Sequence, residues 1–156
     1  MNKAILLLCI AAIAFAAPGP ITWKVCSGSN AHGSLDSVEI NPNPVVPFVN
    51  TTAHGFGLID KRVTQGSTWK LSGSYRNIPV LKKTGDLCSD SVIDLPFKSG
   101  AIYIQGLSCP QEAGKLDVIE KALFNVNPPS GTYKIDVTML DQDQEEILCL
   151  EISVPM

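Results

Sequence analysis

Four cysteines carry the clearest chemistry in this 156-residue chain: Cys26, Cys88, Cys109 and Cys149. They include no Cys-x-x-Cys pair, so no redox dithiol of that type is indicated. An even number of well-separated cysteines is typical of disulfides, which persist in oxidising compartments. Four cysteines permit three pairings, and all three stay open at this point. A bond between the first and the last would close nearly the whole domain, which by the chain-entropy model contributes roughly 4–5 kcal/mol.

The N-terminal residues resemble a signal peptide and so indicate the cellular compartment of the protein. Lys3 precedes an apolar run over residues 4–15, and Ala14-Phe15-Ala16 has the small-x-small pattern of a signal-peptidase site. The run is too short to span a bilayer. We therefore predict that residues 1–16 are a signal peptide, that its removal takes away the fifth cysteine, Cys9, and that the mature domain covers residues 17–156.

Residues with catalytic potential are few. His32 and His54 are the only histidines, and each precedes a glycine, which favours a turn or surface position over a catalytic one. The sequence has no Gly-x-Ser-x-Gly elbow, no His-Glu-x-x-His and no phosphate-binding glycine loop. The acidic stretch 141–146 lacks the glycine and terminal glutamate of a calcium loop, which favours a solvated hairpin tip. We predict neither an enzyme nor a metal or cofactor site.

Charge and modification signals restrict the partners further. The formal net charge is −3, becoming −4 once Lys3 is removed, and no long run of like charge indicates a nucleic-acid surface. The basic pair Lys82 and Lys83 could face a phospholipid headgroup or an anionic membrane, although solubilising lysines are the commoner case. Asn50 begins the one glycosylation sequon of the chain, Asn-Thr-Thr.

The elements that must position these residues are β-strands. Apolar and polar residues alternate with period two between frequent prolines and glycines, most clearly over 133–139 and 148–154, which predicts a C-terminal hairpin. Further strands are predicted at 22–26, 34–40, 51–59, 68–81, 100–105 and 117–126. About eight strands in one disulfide-linked domain predict an all-β fold of two facing antiparallel sheets.

Six short motifs, in order along the chain, give a family resemblance. They are Trp23-Lys24-Val25-Cys26, the segment 38–45, Asp86-Leu87-Cys88, Cys109-Pro110 with Ala113-Gly114, the segment 129–133 and Ile147-Leu148-Cys149-Leu150. Together they resemble the ML lipid-recognition family, above all its phosphatidylglycerol/phosphatidylinositol transfer proteins and the Niemann-Pick type C sterol carrier. The resemblance implies an immunoglobulin-like β-sandwich with a lipid cavity between its sheets. It also implies the pairings Cys26–Cys149 and Cys88–Cys109.

The resemblance further implies a lipid-binding and intermembrane transfer protein, secreted or in the endolysosomal lumen, monomeric, and touching membranes transiently. Its ligand would be a phospholipid or a sterol. The candidate cavity residues are Phe56, Leu58, Trp69, Leu71, Tyr75, Tyr103, Phe124, Tyr133, Ile135, Val137, Leu148 and Leu150. Two alternatives stay open: a cofactor that presents lipid to a hydrolase or receptor, and an immunoglobulin-like interaction module with a solid core. Period-two alternation is the same for a filled and an open sandwich.

Overall fold

The computed structural model describes residues 18–156, so the predicted signal peptide and Cys9 lie outside the described residues. Within this range no helix is long and apolar enough to cross a membrane. Ten strands and one short 3₁₀ turn, Pro96–Lys98, follow each other. The strands are β1 Thr22–Val25, β2 Gly33–Asn41, β3 Thr51–Ile59, β4 Thr68–Tyr75, β5 Ile78–Asp86, β6 Ser91–Asp94, β7 Gly100–Ile104, β8 Gly114–Phe124, β9 Thr132–Leu140 and β10 Glu146–Pro155.

The strands form two five-stranded sheets, in the orders β1-β10-β9-β4-β5 and β2-β3-β8-β7-β6. Neighbouring strands are antiparallel throughout both sheets. The predicted all-β sandwich is thus confirmed. The proline-bearing strand β5 is at a sheet edge, where the missing N–H of Pro79 costs no ladder hydrogen bond on the open side.

The predicted strand 68–81 is in fact two strands. Arg76 and Asn77 turn the chain, both with positive φ (49° and 64°), and β4 and β5 pair as a hairpin. An Arg-Asn turn lacks the glycine that usually marks such a hairpin, which is why the sequence pattern missed it. The short strand β6 was also missed.

The packed core fills one end of the sandwich. Leu71 and Val137 are paired neighbours on β4 and β9, and Trp69 and Met139 form the next pair away from the β4–β5 turn. Burying one such side chain contributes about 1.5–3 kcal/mol. The core also contains Ile59, Val63, Leu87, Ile93, Ile102, Ile104, Leu107, Leu116, Ile147 and Leu148.

Two disulfides hold this same end. Cys26, just after β1, is bonded to Cys149 of β10, and Cys88 to Cys109 joins the segments that follow β5 and β7. Backbone hydrogen bonds accompany both, from Cys26 N to Cys149 O (2.9 Å) and from Leu107 N to Leu87 O (2.8 Å). The pairings agree with those implied by the family resemblance.

His32 and Asp141 are buried, contrary to the predicted turn, surface or solvated positions. His32 Nε2 lies 3.0 Å from Asp141 Oδ2, and both side chains are almost inaccessible. The backbone N–H groups of Asp143 and Glu145 donate to Asp141 Oδ1, each at 2.9 Å, so the hairpin tip folds around its own carboxylate. Leaving one partner of such a buried hydrogen bond unsatisfied typically costs about 1–3 kcal/mol, which makes the pair a structural element of the packed end. His54, by contrast, is half-buried and pairs with exposed Asp117 across β3 and β8.

Candidate functional site

An apolar cavity lies between the sheets next to the packed core, and the core residues Ile102, Met139 and Leu148 form part of its wall. It has an outer compartment of about 660 Å³ and an inner one of about 120 Å³. Ile102, Phe124, Ile135 and Val154 line both compartments, so the two meet at these four side chains. The outer volume falls within the roughly 300–1,000 Å³ of small-molecule sites in proteins.

Small side chains on the inner face of β3 and β8 create the inner compartment. Ala53 and Gly55 of β3 and Ala122 of β8 point into it, where larger residues would fill the gap. A side chain at Gly55 would meet Leu35 Cδ1 at 3.1 Å, so the glycine also allows β2 to approach closely. The opposite wall comes from apolar residues of β1, β9 and β10, namely Trp23, Ile135, Met139, Leu148, Leu150, Ile152 and Val154.

Two stacked tyrosines brace the outer compartment. The rings of Tyr75 and Tyr133 are 4.7 Å apart between centroids, and Tyr75 Oη donates to Ser130 O at 2.8 Å. Gly131, with φ of 143°, passes so close to Tyr75 that a side chain at position 131 would lie 2.9 Å from the ring. Burial raises the pKa of the Tyr133 hydroxyl, which keeps this wall neutral.

Loops around the mouth expose apolar side chains. The β2–β3, β4–β5, β6–β7 and β8–β9 connections gather at this end because Thr51, Tyr75, Gly100 and Phe124 are strand termini there. The β2–β3 loop is tied to the mouth by a hydrogen bond from Phe48 N to Phe124 O (2.8 Å). The exposed apolar residues, here called the apolar rim, are Val46, Phe48, Val49, Ile78, Val80, Phe97 and Val126.

Two phenylalanines of the apolar rim have unusual backbone conformations. Phe97 is fully exposed with φ of 57°, and Phe48 is 63% exposed with φ of 66°. A non-glycine residue in this region costs on the order of 1 kcal/mol or more, and exposing its aromatic ring gains no burial. The cations Arg76 and Lys98 are exposed in the same loops.

The structure places six of the twelve predicted cavity residues in the cavity wall: Tyr75, Phe124, Tyr133, Ile135, Leu148 and Leu150. Trp69, Leu71 and Val137 point inward but belong to the packed core. The inward face of the strand was predicted correctly for these three residues, but their contact with the cavity was not.

Phe56, Leu58 and Tyr103 lie on the outer faces, so their prediction as cavity residues is corrected. On β3 the inward positions before Ile59 are glycine and other small residues, and the large side chains Phe56 and Leu58 face outward; Leu58 is 47% exposed. Phe56 packs against His54 instead, with ring centroids 4.0 Å apart. Tyr103 faces outward from β7, and its hydroxyl donates to Asp90 Oδ2 at 2.6 Å.

The remaining predicted sites are on the surface. Lys82 and Lys83 are exposed on edge strand β5, where they pair with Ser72 and Leu71 and so point to opposite faces, level with the packed core. Asn50 is exposed just before β3, near the apolar rim.

Glu120 is the residue that the sequence reasoning missed. It follows Leu116 and Val118 on the inward face of β8 and lines the inner compartment. Desolvation raises the pKa of its carboxyl group from 4.5 to about 7. Part of its surface faces the cavity, which gives it an intermediate exposure. The signal was present in the sequence as a glutamate within a period-two apolar face.

Comparisons with known proteins agree with this geometry. A family model for the ML domain matches residues 20–156. A phosphatidylglycerol/phosphatidylinositol transfer protein of Aspergillus fumigatus is 26% identical over 117 residues, which is 75% of this chain and 61% of that protein. The crystal structure of chicken MD-1 complexed with lipid IVa superposes with a TM-score of 0.60 at 15% identity, covering 86% of this chain and 88% of the other. A Niemann-Pick type C2 protein from the Japanese carpenter ant gives 0.59 at 12% identity, covering 85% and 96%. Because the family match takes in nearly all of the described chain, this protein belongs to the ML-domain family.

Proposed function

We propose that this protein binds a lipid between its sheets and carries it between membranes. The observation that carries the proposal is the apolar cavity of about 660 Å³ with its inner extension, open at one end of the sandwich. Members of the ML family bind or transfer lipids and are not enzymes. A phospholipid or a sterol is the proposed ligand class.

The energetics of such a cavity favour a carrier over a permanent store. Each methylene moved from water into it contributes about 0.8 kcal/mol, so one acyl chain contributes on the order of 10 kcal/mol. A bilayer offers the same chain a similar gain. The exchange between membrane and protein is therefore close to balanced, and a small bias at either membrane is enough to load or unload the protein.

The apolar rim supports a transient contact with the membrane surface. Phe97 and Phe48 hold aromatic rings in solvent on strained backbones, and Arg76 and Lys98 add positive charge around the same opening. Aromatic rings enter the bilayer interface readily, and each nearby cation adds about 1 kcal/mol on an anionic surface. This contact would place the open end of the cavity against the lipid.

Transfer of fluorescent phospholipid or sterol between vesicles tests the proposal. We expect wild-type protein to accelerate transfer, and Phe97→Ser to slow it severalfold because docking loses its most exposed apolar group. Val92→Ser is the matched control, since Val92 is 68% exposed on the outer face of β6, away from the mouth. If wild-type protein transfers neither lipid, the proposal is wrong. If Phe97→Ser and Val92→Ser transfer lipid at the same rate, the apolar rim is not the membrane-docking surface.

The alternatives differ in what the cavity would do. An interaction module with a solid core does not account for a cavity of this size. A protein that presents lipid to a hydrolase or receptor would use the same cavity together with a second protein-binding surface. Native mass spectrometry separates the first alternative from a carrier, because only an open sandwich retains lipid on purification.

The cellular setting is part of the same proposal. Two disulfides and the predicted signal peptide support a secreted or endolysosomal protein. A monomer with glycan at Asn50 stays a prediction. Asn50 lies near the apolar rim, so a glycan on it would compete with membrane docking.

A further inference from the structure

A single carboxyl group faces the interior of an otherwise apolar compartment. Glu120 is flanked on its own strand by Val118 and Ala122, and its side chain forms no ion pair or hydrogen bond with the described residues. A carboxyl group is costly to bury without a partner, whereas the valine or alanine found beside it is not. A carboxyl group at this position is therefore unfavourable if the cavity holds only hydrocarbon chains.

A second polar group lies unpartnered beside it. Thr51 is 5% exposed, lines the same compartment, and its Oγ1 is buried without a hydrogen-bond partner. On the inner face, Thr51 pairs with Ala122 and Glu120 pairs with Ala53, so Thr51 and Glu120 are diagonal neighbours. Diagonal neighbours across antiparallel strands lie within about 7–8 Å, a gap that one small polar group can bridge.

The described walls around the two residues make no hydrogen bond to either side chain. Among the residues lining the inner compartment in the described chain, Glu120 is the one ionisable group. The lining positions on β2, β3, β7, β9 and β10 are apolar apart from Thr51, namely Leu35, Val38, Ile40, Ala53, Gly55, Ile102, Ile135, Met139, Leu148, Leu150, Ile152 and Val154, and β1 adds Trp23, whose indole N–H is the one other side-chain polar group. Tyr75, Tyr133 and Lys134 line the outer compartment instead.

We propose that Glu120 and Thr51 form a polar subsite inside the cavity that binds a hydroxyl group of a lipid. The cavity would then prefer lipids that insert an aliphatic hydroxyl, such as a long-chain alcohol or a sterol, over chains that lack one. This inference rests on the proposed lipid-binding function and refines its ligand.

An aliphatic hydroxyl matches the two groups better than other lipid polar groups do. It can donate to the Glu120 carboxyl, ionised or neutral, and accept from the Thr51 hydroxyl at the same time. A lipid carboxylate would face an ionised Glu120 and be repelled. An ammonium brings three donors, more than this compartment can satisfy without water, so its burial is penalised.

Displacement of a pyrene-labelled phospholipid from delipidated protein tests the subsite. Hexadecanol should compete about tenfold better than hexadecyl methyl ether at pH 8, because a hydrogen bond to a charged group is worth about that factor. Cholesterol and its methyl ether form a second pair, which tells whether a chain alcohol or a sterol is the source of the hydroxyl.

Variants connect the preference to the two residues. Glu120→Leu should lose the preference for the alcohol over the ether, and Thr51→Val should reduce that preference in part. Glu39→Leu, the same change at an exposed outer position on β2, should leave it unchanged. Carbon-13 titration of the Glu120 carboxyl gives a second readout, since a donating hydroxyl should lower its pKa from about 7.

The outcomes separate the subsite from the function. If alcohol and ether compete equally in both pairs, or if the preference survives in Glu120→Leu, the subsite is refuted while phospholipid transfer can still stand. If none of the probes displaces the label and no vesicle transfer occurs, the lipid-binding function falls and the subsite with it.

Discussion

Filling the inner compartment should stabilise the protein while it blocks the ligand. Ala122 projects into this compartment from β8, opposite Ile102 and Thr51 of the neighbouring strands. Cavities destabilise by about 24 cal/mol per Å³, so complete filling of 120 Å³ would contribute at most about 3 kcal/mol. We expect Ala122→Phe to raise the free energy of unfolding by up to that amount and to reduce lipid binding.

The matched control is a ring placed in the packed core. Val137 lies on the inner face of β9 beside Leu71, is buried in the core and lines neither compartment, so Val137→Phe should lower the free energy of unfolding by about 1–3 kcal/mol. The two variants thus predict opposite signs for the same kind of side chain.

The assay combines urea unfolding of delipidated protein with vesicle transfer. Lipid must be removed first, because a bound ligand stabilises the native state by mass action and would mask the effect in wild type. If Ala122→Phe is as destabilised as Val137→Phe and still transfers lipid at the wild-type rate, the inner compartment is not a ligand space and our reasoning from the cavity is wrong.

Two further predictions concern stability. Replacing Cys26 and Cys149 together by alanine should lower the free energy of unfolding by about 2–5 kcal/mol. This loss should exceed that of the same change at Cys88 and Cys109 by roughly 1.5 kcal/mol, because the loops span 123 and 21 residues. Equal losses in a denaturant titration would contradict the loop-length argument. Glu120 keeps its proton to a higher pH in the folded protein, where its pKa is about 7, than in the unfolded chain, where it is 4.5. The contribution of this protonation to the free energy of unfolding is therefore fully present below pH 4.5 and is lost as the pH rises through 7. The loss should be about 1–3 kcal/mol, the smaller value applying if water in the cavity solvates the carboxylate, and Glu120→Gln should remove this part of the pH profile.

The sequence predicted the strands and the disulfide frame well because both depend on local or family patterns. Alternation identified β9 and β10 with their inward faces, including Ile135 and Leu150, which line the cavity. The same rule placed Phe56 on the wrong face. On β3 the inward positions before Ile59 are threonine, alanine and two glycines, so over most of this strand the large hydrophobic residues are on the outer face instead of the buried one.

The depth of the cavity could not be predicted from alternation. Val137 and Ile135 are neighbours on one face of β9, and both are apolar, but one is in the packed core and the other in the cavity wall. Met139, the next residue on the same face, lines the cavity again, so the order of residues along β9 does not decide which of them border it. That depends on the side chains of the facing strands, about which the period of one strand contains no information.

The positions of the stabilising interactions explain how such a sandwich tolerates an open end. The packed core, both disulfides and the buried His32–Asp141 pair all lie at the end away from the mouth. The mouth end has stacked tyrosines, exposed apolar loops and a cavity, so few buried contacts resist its local opening. Because local stability follows buried contacts, the loops at the mouth can move at low free-energy cost while the other end holds the fold. A lipid can then enter or leave without global unfolding, which is the property that a carrier of this type requires.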